Sequence, residues 1–535
     1  MTQGLATTFR VLTHSDSESA GRVLLAALES PTPEIQESAL TAVLRRRDQG
    51  ARRELLRRWE QMNPRWRVII KRNRDCMDRV LREAVLGDDV TLGATACEAA
   101  IWLSDYDLVT TLLTALGEGL HPNADLLART LLALADQLYE ELADPRPDAS
   151  QRDPQRLRQH VVSTLEQSVQ RYGRHKRREV LEAFLSLAPR DNAMLRQVLL
   201  EPHHAAFLVT LDVLAKSSRP GVMRLLLSFL DDPHAPSAAL SIVGNRCDLT
   251  FLRHVLRKIG RDPSPIVRQN LKRIGAVAWI RSAEACLQEL DEQAQHAAVR
   301  MIVTSAIPRA QIFALLESVL KVGKPAGRRA AAEALAEFNG AEANALALKA
   351  LGDPDPQVQA AIILQLRRRG IPGVLARLVE LLESPHPAVR QAARKSLAEF
   401  TFHRYLGAFD MLDDDVRRST GALVKKVDPQ ILPLLRAEML SKIRTRRHRA
   451  LLIARAVDLV YALEPLIIDL LKDEDHMVRA EAASVLASCS SEASRDALRD
   501  ALDDHSPAVQ EAVRRSLTAR NEFLEWRSGV ADPRD

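Results

Sequence analysis

The chain has 535 residues, 46% hydrophobic but only 4% aromatic, with 75 basic against 70 acidic residues and a net charge of +5. Alanine and leucine in this balance pack helix on helix, whereas a β-protein would want more aromatic and β-branched residues. The basic excess is small for the length, so overall charge selects no partner class. Five scattered cysteines (Cys76, Cys97, Cys247, Cys286, Cys489) form no CxxC pair and read as reduced, core-filling thiols. Residues 1–10 lack a basic region followed by an apolar core, and no apolar run approaches the roughly 18 residues of a membrane span. These observations predict a cytoplasmic protein with no membrane partner.

In chain order, residues 1–143 read as degenerate helical repeats. Leu28-Glu-Ser-Pro-Thr-Pro-Glu-Ile35 is a proline-bearing inter-helix turn. Between Arg45 and Arg82 lie fourteen basic residues against Asp48, Glu54, Glu60, Asp75 and Asp78, an excess of nine positive charges. Trp59 and Trp66 fall inside this segment, and Asn63-Pro64 is a helix cap and first turn that puts them on different helices. Trp66, Ile69, Ile70, Met77, Val80 and Leu81 then form an apolar stripe. Two readings follow: core tryptophan beneath a solvated basic face, or a phosphate-tracking groove made by Arg52, Arg53, Arg57, Arg58, Arg65, Arg67, Lys71 and Arg72. Further on, Trp102 and Tyr106 with Asp105 and Asp107 are the one loose gathering of aromatics and carboxylates. Residues 144–154 carry three prolines and read as an exposed loop. Residues 155–254 are again degenerate repeats, in which Arg177, Leu181, Leu185 and Phe207, Leu211, Ala215 keep the frame. The adjacent His203 and His204 point about 100° apart on a helix, a poor geometry for one metal.

From residue 255 to 518 the period is explicit. Val267, Val358, Val389, Val416, Val478 and Val509 lie 91, 31, 27, 62 and 31 residues apart by subtraction, near multiples of one unit. Local grammar repeats with them: Asp262-Pro-Ser-Pro-Ile-Val-Arg268, Asp353-Pro-Asp-Pro-Gln-Val-Gln359, Ser384-Pro-His-Pro-Ala-Val-Arg390 and Asp473-Glu-Asp-His-Met-Val-Arg479. In the unit 371–400, Val374, Leu375, Leu378, Leu381 and Leu382 mark the face of a first helix, and Ser384-Pro-His-Pro387 ends it. A second helix starting at Pro387 buries Val389, Ala393, Leu397 and Phe400. Neither helix can bury its face alone, so stability comes from stacking. Projecting the step keeps Ala331 and Leu335 in frame and makes Arg444–Leu452 helical, while residues 519–535 cap the array.

This grammar resembles the HEAT-repeat family, strongly over residues 255–518 and more weakly over 18–250. The resemblance implies an all-α, right-handed α-α superhelix (a HEAT/armadillo-like solenoid); at about 31 residues per unit that is roughly 16 or 17 helix pairs. It implies that a turn aspartate and an arginine six residues later interact along the stack; Asp262 with Arg268 and Asp473 with Arg479 match, while Asp353 precedes Gln359 and Asp504 precedes Gln510. The family spans transport receptors, phosphatase scaffolds, condensin-type subunits, bilin lyases and a DNA glycosylase branch, so it implies a fold and not a function.

Measured from each repeat's key apolar residue, basic pairs recur at offsets one helical turn apart: Lys272-Arg273, Arg394-Lys395 and Arg514-Arg515, then Arg367-Arg368 and Lys425-Lys426. They share one face of the second helix, which lines the concave side in this family. Either they compensate helix dipoles or they form a stripe for acidic partners. The leading expectation is a non-catalytic scaffold that binds protein partners through acidic segments, without cofactor or metal. Nucleic-acid binding through the N-terminal basic segment is second, and a lyase- or glycosylase-like enzyme third. No phosphate-binding glycine loop, HExxH or GxSxG motif occurs.

Overall fold

The computed structural model describes residues 3–46, 48–117, 121–144 and 153–529, with side chains as far as Ala519. Arg47 and most of the proline-rich 144–154 segment lie outside the described residues, as do nearly all side chains of the C-terminal cap. Among the described residues there are 34 α-helices, ten short 3-10 helices and no strand. The chain divides into two compact units, Met1–Gly327 and Arg328–Asp535.

In the second unit, pairs of helices follow the 31-residue step: Ala341–Ala350 with Pro356–Leu366, Val374–Glu380 with Pro387–Ser396, Phe402–Ala408 with Asp414–Val427, Ile431–Met439 with Arg444–Ala456, Val460–Leu470 with His476–Leu486, and Glu492–Asp500 with Pro507–Gly529. Proline at the first turn sets the start of the Pro356 and Pro387 helices, and Asp355 accepts from the Gln357 N–H at 2.8 Å. Second helices pack on one another, Pro356–Leu366 on Pro387–Ser396 and Arg444–Ala456 on His476–Leu486 on Pro507–Gly529. Val358, Val389, Val478 and Val509 are buried at these contacts, as is Val267 in the first unit. One hydrophobic cluster runs from Phe402 to Val513 without interruption.

Several burial expectations fail here, Phe400 among them, which is half-buried. Val416 is 43% exposed. The 27-residue step before it is about one helical turn short of 31, and the Asp414–Val427 helix buries Gly421, Val424 and Val427 instead. Leu375 is also exposed, while Val374, Leu378 and Leu382, one turn apart, are buried. In the first unit the Phe207–Lys216 helix buries Thr210, Val213 and Leu214, leaving Phe207, Leu211 and Ala215 half-buried.

A polar ladder ties successive turns together. Arg328 forks onto Asp353 at 2.8 and 3.0 Å and Arg479 onto Asp504 at 2.7 and 3.0 Å, while Arg447 donates its Nη2 to Asp473 at 2.9 Å and pairs with the same carboxylate through its Nε side at 2.7 Å. Each aspartate also accepts from the N–H two residues on, at Asp355, Asp475 and Ser506. The residue six beyond each turn position donates back to its carbonyl: Gln359 to Asp353, Arg390 to Ser384, Arg447 to Ser441, Arg479 to Asp473 and Gln510 to Asp504. Glutamine therefore keeps the local bond where it replaces arginine, and only the inter-repeat fork is lost. Asp262 and Arg268 do not follow the expectation, because Arg268 donates to the Pro263 carbonyl instead.

Candidate binding surface

The basic residues fall into engaged and unengaged sets once their partners are traced. Of the five pairs, Arg273 donates to the Ala235 carbonyl at 2.8 Å, and Arg367 pairs with Glu399 beneath the Phe400 ring. Lys425 bonds Asp458, and Arg515 pairs with Glu511 at 2.8 Å on its own helix. Lys272, Arg368, Arg394, Lys395, Lys426 and Arg514 are exposed, and no described carboxylate lies within ion-pair distance of them. The pairs are thus divided between structural and unengaged cations, a division that spacing alone does not show.

One unengaged cation sits in a built groove. Arg329, Glu333, Ala336 and Asn339 face Gln357, Ala360, Ala361, Leu364 and Arg368 across a cleft of about 370 Å³. Positions 357, 361, 364 and 368 are one outward stripe of the Pro356–Leu366 helix and its 3-10 extension, which Gly370 ends at a φ of 64°. Leu364 is 44% exposed on this stripe, and one 31-residue step carries it to Lys395 on the next second helix. Arg369, which also lines the cleft, staples the preceding repeat, donating to the Leu335 carbonyl at 2.6 Å and the Phe338 carbonyl at 3.0 Å.

The same staple recurs at Arg246, which holds the Leu214 and Ser217 carbonyls at 3.1 and 2.9 Å and Asp248 at 2.6 Å. Arg46 repeats it with Leu12, Ser17 and Asp48. These buried arginines join the carboxyl end of one helix pair to the next. Their carbonyl partners leave no residue signature; only the aspartate two residues after Arg46 and Arg246 is visible in the sequence.

The N-terminal basic segment is mostly consumed inside its own unit. Arg52 donates to the Cys76 and Leu44 carbonyls, Arg53 reaches Glu83, and Arg57 reaches Asp89 and Glu54. Arg58 reaches Glu54 and Glu29. Arg67 lies over the Trp59 ring at 5.3 Å and holds its carbonyl, while Lys71 lies over Trp102 at 5.3 Å. Of the eight, Arg65 and Arg72 extend without such a contact among the described residues. Trp59 is 1% exposed and meets the Trp102 ring edge-on at 5.9 Å, so it is core; Trp66 and Ile69 are half-buried. The cap at Asn63 and the helix Pro64–Arg72 form as the sequence predicts.

The gathering around residues 102–107 is packed rather than open. Trp102 is taken by Trp59 and Lys71, and Tyr106 is buried. Burial lifts the Asp105 carboxyl to about 6, with Asp78 and Asp107 adding to the shift against Arg82. A raised carboxylate favours the protonated fold, so its contribution is complete below about 4 and lost as pH rises through 6. Asp105→Asn is expected to flatten the stability profile over that window and to raise stability at pH 7.5 by about 1–2 kcal/mol. Denaturant midpoints from pH 4 to 8 check this, and an unchanged profile overturns it. Among the described residues no three His, Cys, Asp or Glu side chains gather as metal ligands, and no helix is long and apolar enough to cross a membrane.

The geometry defines an all-helical repeat protein whose second unit stacks helix pairs through their turns. The model of HEAT repeats matches residues 344–427 and 429–518, and this stretch is a HEAT-repeat array. No curated protein matches the chain. Solved structures similar to it include importin beta, 13% identical over 97% of this chain and 82% of that one, TM-score 0.31. Kap95p bound to RanGDP is 11% identical over 97% and 82%, TM-score 0.26. Kap121p is 13% identical over 97% of this chain and 54% of its own length, TM-score 0.24. At such TM-scores these likenesses carry no functional argument.

Proposed function

We propose that the chain is a non-catalytic scaffold whose Arg328–Asp535 unit holds an acidic segment of a protein partner along its second helices. Arg368, Arg394, Lys395, Lys426 and Arg514 make the electrostatic contacts, and the Leu364 cleft takes an apolar side chain between acidic ones. The observation that carries this reading is the division within the basic pairs: these five cations are exposed and unengaged while Arg367, Lys425 and Arg515 beside them are paired. Helix-dipole compensation would use both members alike. Exposed unpaired charges raise encounter rates and lend affinity that falls with salt.

The test is fluorescence anisotropy of a labelled Asp/Glu-rich peptide with one central leucine. Wild type is expected to bind it with salt-sensitive affinity. Reversing all five cations to glutamate weakens binding by roughly tenfold or more, since each exposed contact contributes about 0.2–1 kcal/mol. Reversing Arg515 alone changes little. Equal binding by the five-fold variant would sink the reading. A single-stranded oligonucleotide in the same assay tests the nucleic-acid alternative, whose remaining candidates are Arg65 and Arg72.

A further inference from the structure

In the first unit a cleft of about 1480 Å³ is lined by the helices Gln3–His14, Pro33–Arg45 and Pro64–Arg72, the middle one packed against both others. Two arginines draw the carboxyl ends of these helices together. Arg46 holds the Leu12 and Ser17 carbonyls, and Arg52 holds those of Leu44, Arg46 and Cys76. Arg10, Arg45 and Arg72 therefore stand toward one end of the cleft. All three are exposed, and no described carboxylate lies within ion-pair distance of them. Of the described acids beside them Asp16 alone is unengaged, because Glu18 faces Arg22 at 4.0 Å and Asp48 faces Arg46 at 3.8 Å.

The other end is acidic. Glu34, Glu37, Ser38, Thr41 and Arg45 succeed one another at three- and four-residue steps, forming the floor of the cleft on a single helix. Glu37 is exposed, with no described cation within ion-pair distance. From Glu34 to Arg45 the helix rises about 16 Å, the length of about five extended residues. Phe9 and Ile69, both half-buried, add apolar wall from the two flanking helices. The volume exceeds the roughly 300–1,000 Å³ of a small-molecule pocket, so the cleft is sized for a stretch of chain. A nucleic-acid backbone would meet Glu34 and Glu37 as like charges, which disfavours it.

We propose that this cleft binds an extended peptide segment of mixed charge, with an acidic residue at Arg10, Arg45 and Arg72 and a basic residue at Glu37. An apolar side chain between the two meets Phe9 and Ile69. Opposite charges at the two ends of one cleft fix the direction in which a segment lies and reject segments of a single sign. The guanidinium forks suit a carboxylate, and their donors are not taken up by the protein. All these residues belong to the first unit and none to the five cations of the proposed groove, so this site stands or falls separately from that reading.

The experiment selects a displayed library of random peptides, about nine residues long, on the full chain and counter-selects on the variant Arg45→Glu/Arg72→Glu. Counter-selection removes peptides held elsewhere, those of the Arg328–Asp535 unit included. Enriched peptides are expected to carry an acidic and a basic residue about four positions apart. Fluorescence anisotropy of the most enriched peptide then reads the sign of each end: Arg45→Glu/Arg72→Glu weakens binding roughly tenfold or more, and Glu37→Gln weakens it severalfold. A plain anion site would instead gain from Glu37→Gln and would prefer a single-stranded oligonucleotide to the peptide. Either of those results, or a selection that yields no peptide dependent on Arg45 and Arg72, overturns the proposal. Should the double reversal fail to fold, Arg45→Gln/Arg72→Gln replaces it in both steps.

Discussion

Asp473→Ala is expected to destabilise the Arg328–Asp535 unit by about 3–5 kcal/mol, the range for removing one partner of a buried ion pair. The Arg447 side chain is 8% exposed and Asp473 is 7% exposed, so neither charge can be taken up by water. Removing the carboxylate leaves the Arg447 fork with Glu474, an exposed acid at 3.1 Å, and with the Ser441 carbonyl. It also frees the Asp475 N–H that Asp473 holds in the turn. Arg515→Ala, removing an exposed pair on one helix, should shift stability by no more than about 0.5 kcal/mol. Guanidinium midpoints and hydrogen exchange of the Arg444–Ala456 and His476–Leu486 helices check both. Equal effects of the two substitutions would show that the ladder is ornamental. The Asp504 rung adds a pH signature: the Arg479 guanidinium holds the Asp504 carboxyl below the usual range. Its stabilisation is therefore present above about pH 4 and lost as pH falls through the depressed folded value, the opposite sign to Asp105.

The repeat is legible in the sequence because its signal is local. Proline at the first helical turn, a polar cap before it and a valine two residues on all act within one unit, and Val358, Val389, Val478 and Val509 are buried as that grammar requires. Val416 misleads because its spacing reads as a multiple of 31 when the helix has changed its buried side after a shortened step. The ladder is half legible. Arginine or glutamine six residues after the turn can be seen, but which repeat supplies the fork to each aspartate depends on stacking, and Arg447 in a degenerate repeat reads only as helical. The basic pairs show the same limit. Arg394 and Lys395 are unengaged while Arg367 and Lys425 are engaged because Glu399 and Asp458 arrive from the next repeat, 32 or 33 residues on by subtraction.

Trp59→Ala should be as damaging as the ladder substitution, at about 3–5 kcal/mol for a large aromatic removed from a packed core. Its ring is buried against the edge of Trp102 and carries Arg67 on its other contact, so truncation leaves a cavity and strips both neighbours of a partner. Trp66→Ala, at a half-buried position on the following helix, should cost about 1 kcal/mol. Near-ultraviolet circular dichroism should lose the coupled Trp59–Trp102 signal in the first variant and keep it in the second. This pair of variants also decides what the arginine-rich segment is for. A tryptophan that stacks on nucleobases must be reachable, and its removal would lower oligonucleotide affinity in a well-folded chain. A tryptophan that organises surrounding arginines from within lowers stability first. Arg67 on the ring and Arg52 on the Cys76 and Leu44 carbonyls favour the second case: the charge excess read from the sequence is drawn inward as hydrogen-bond donors to a helical core.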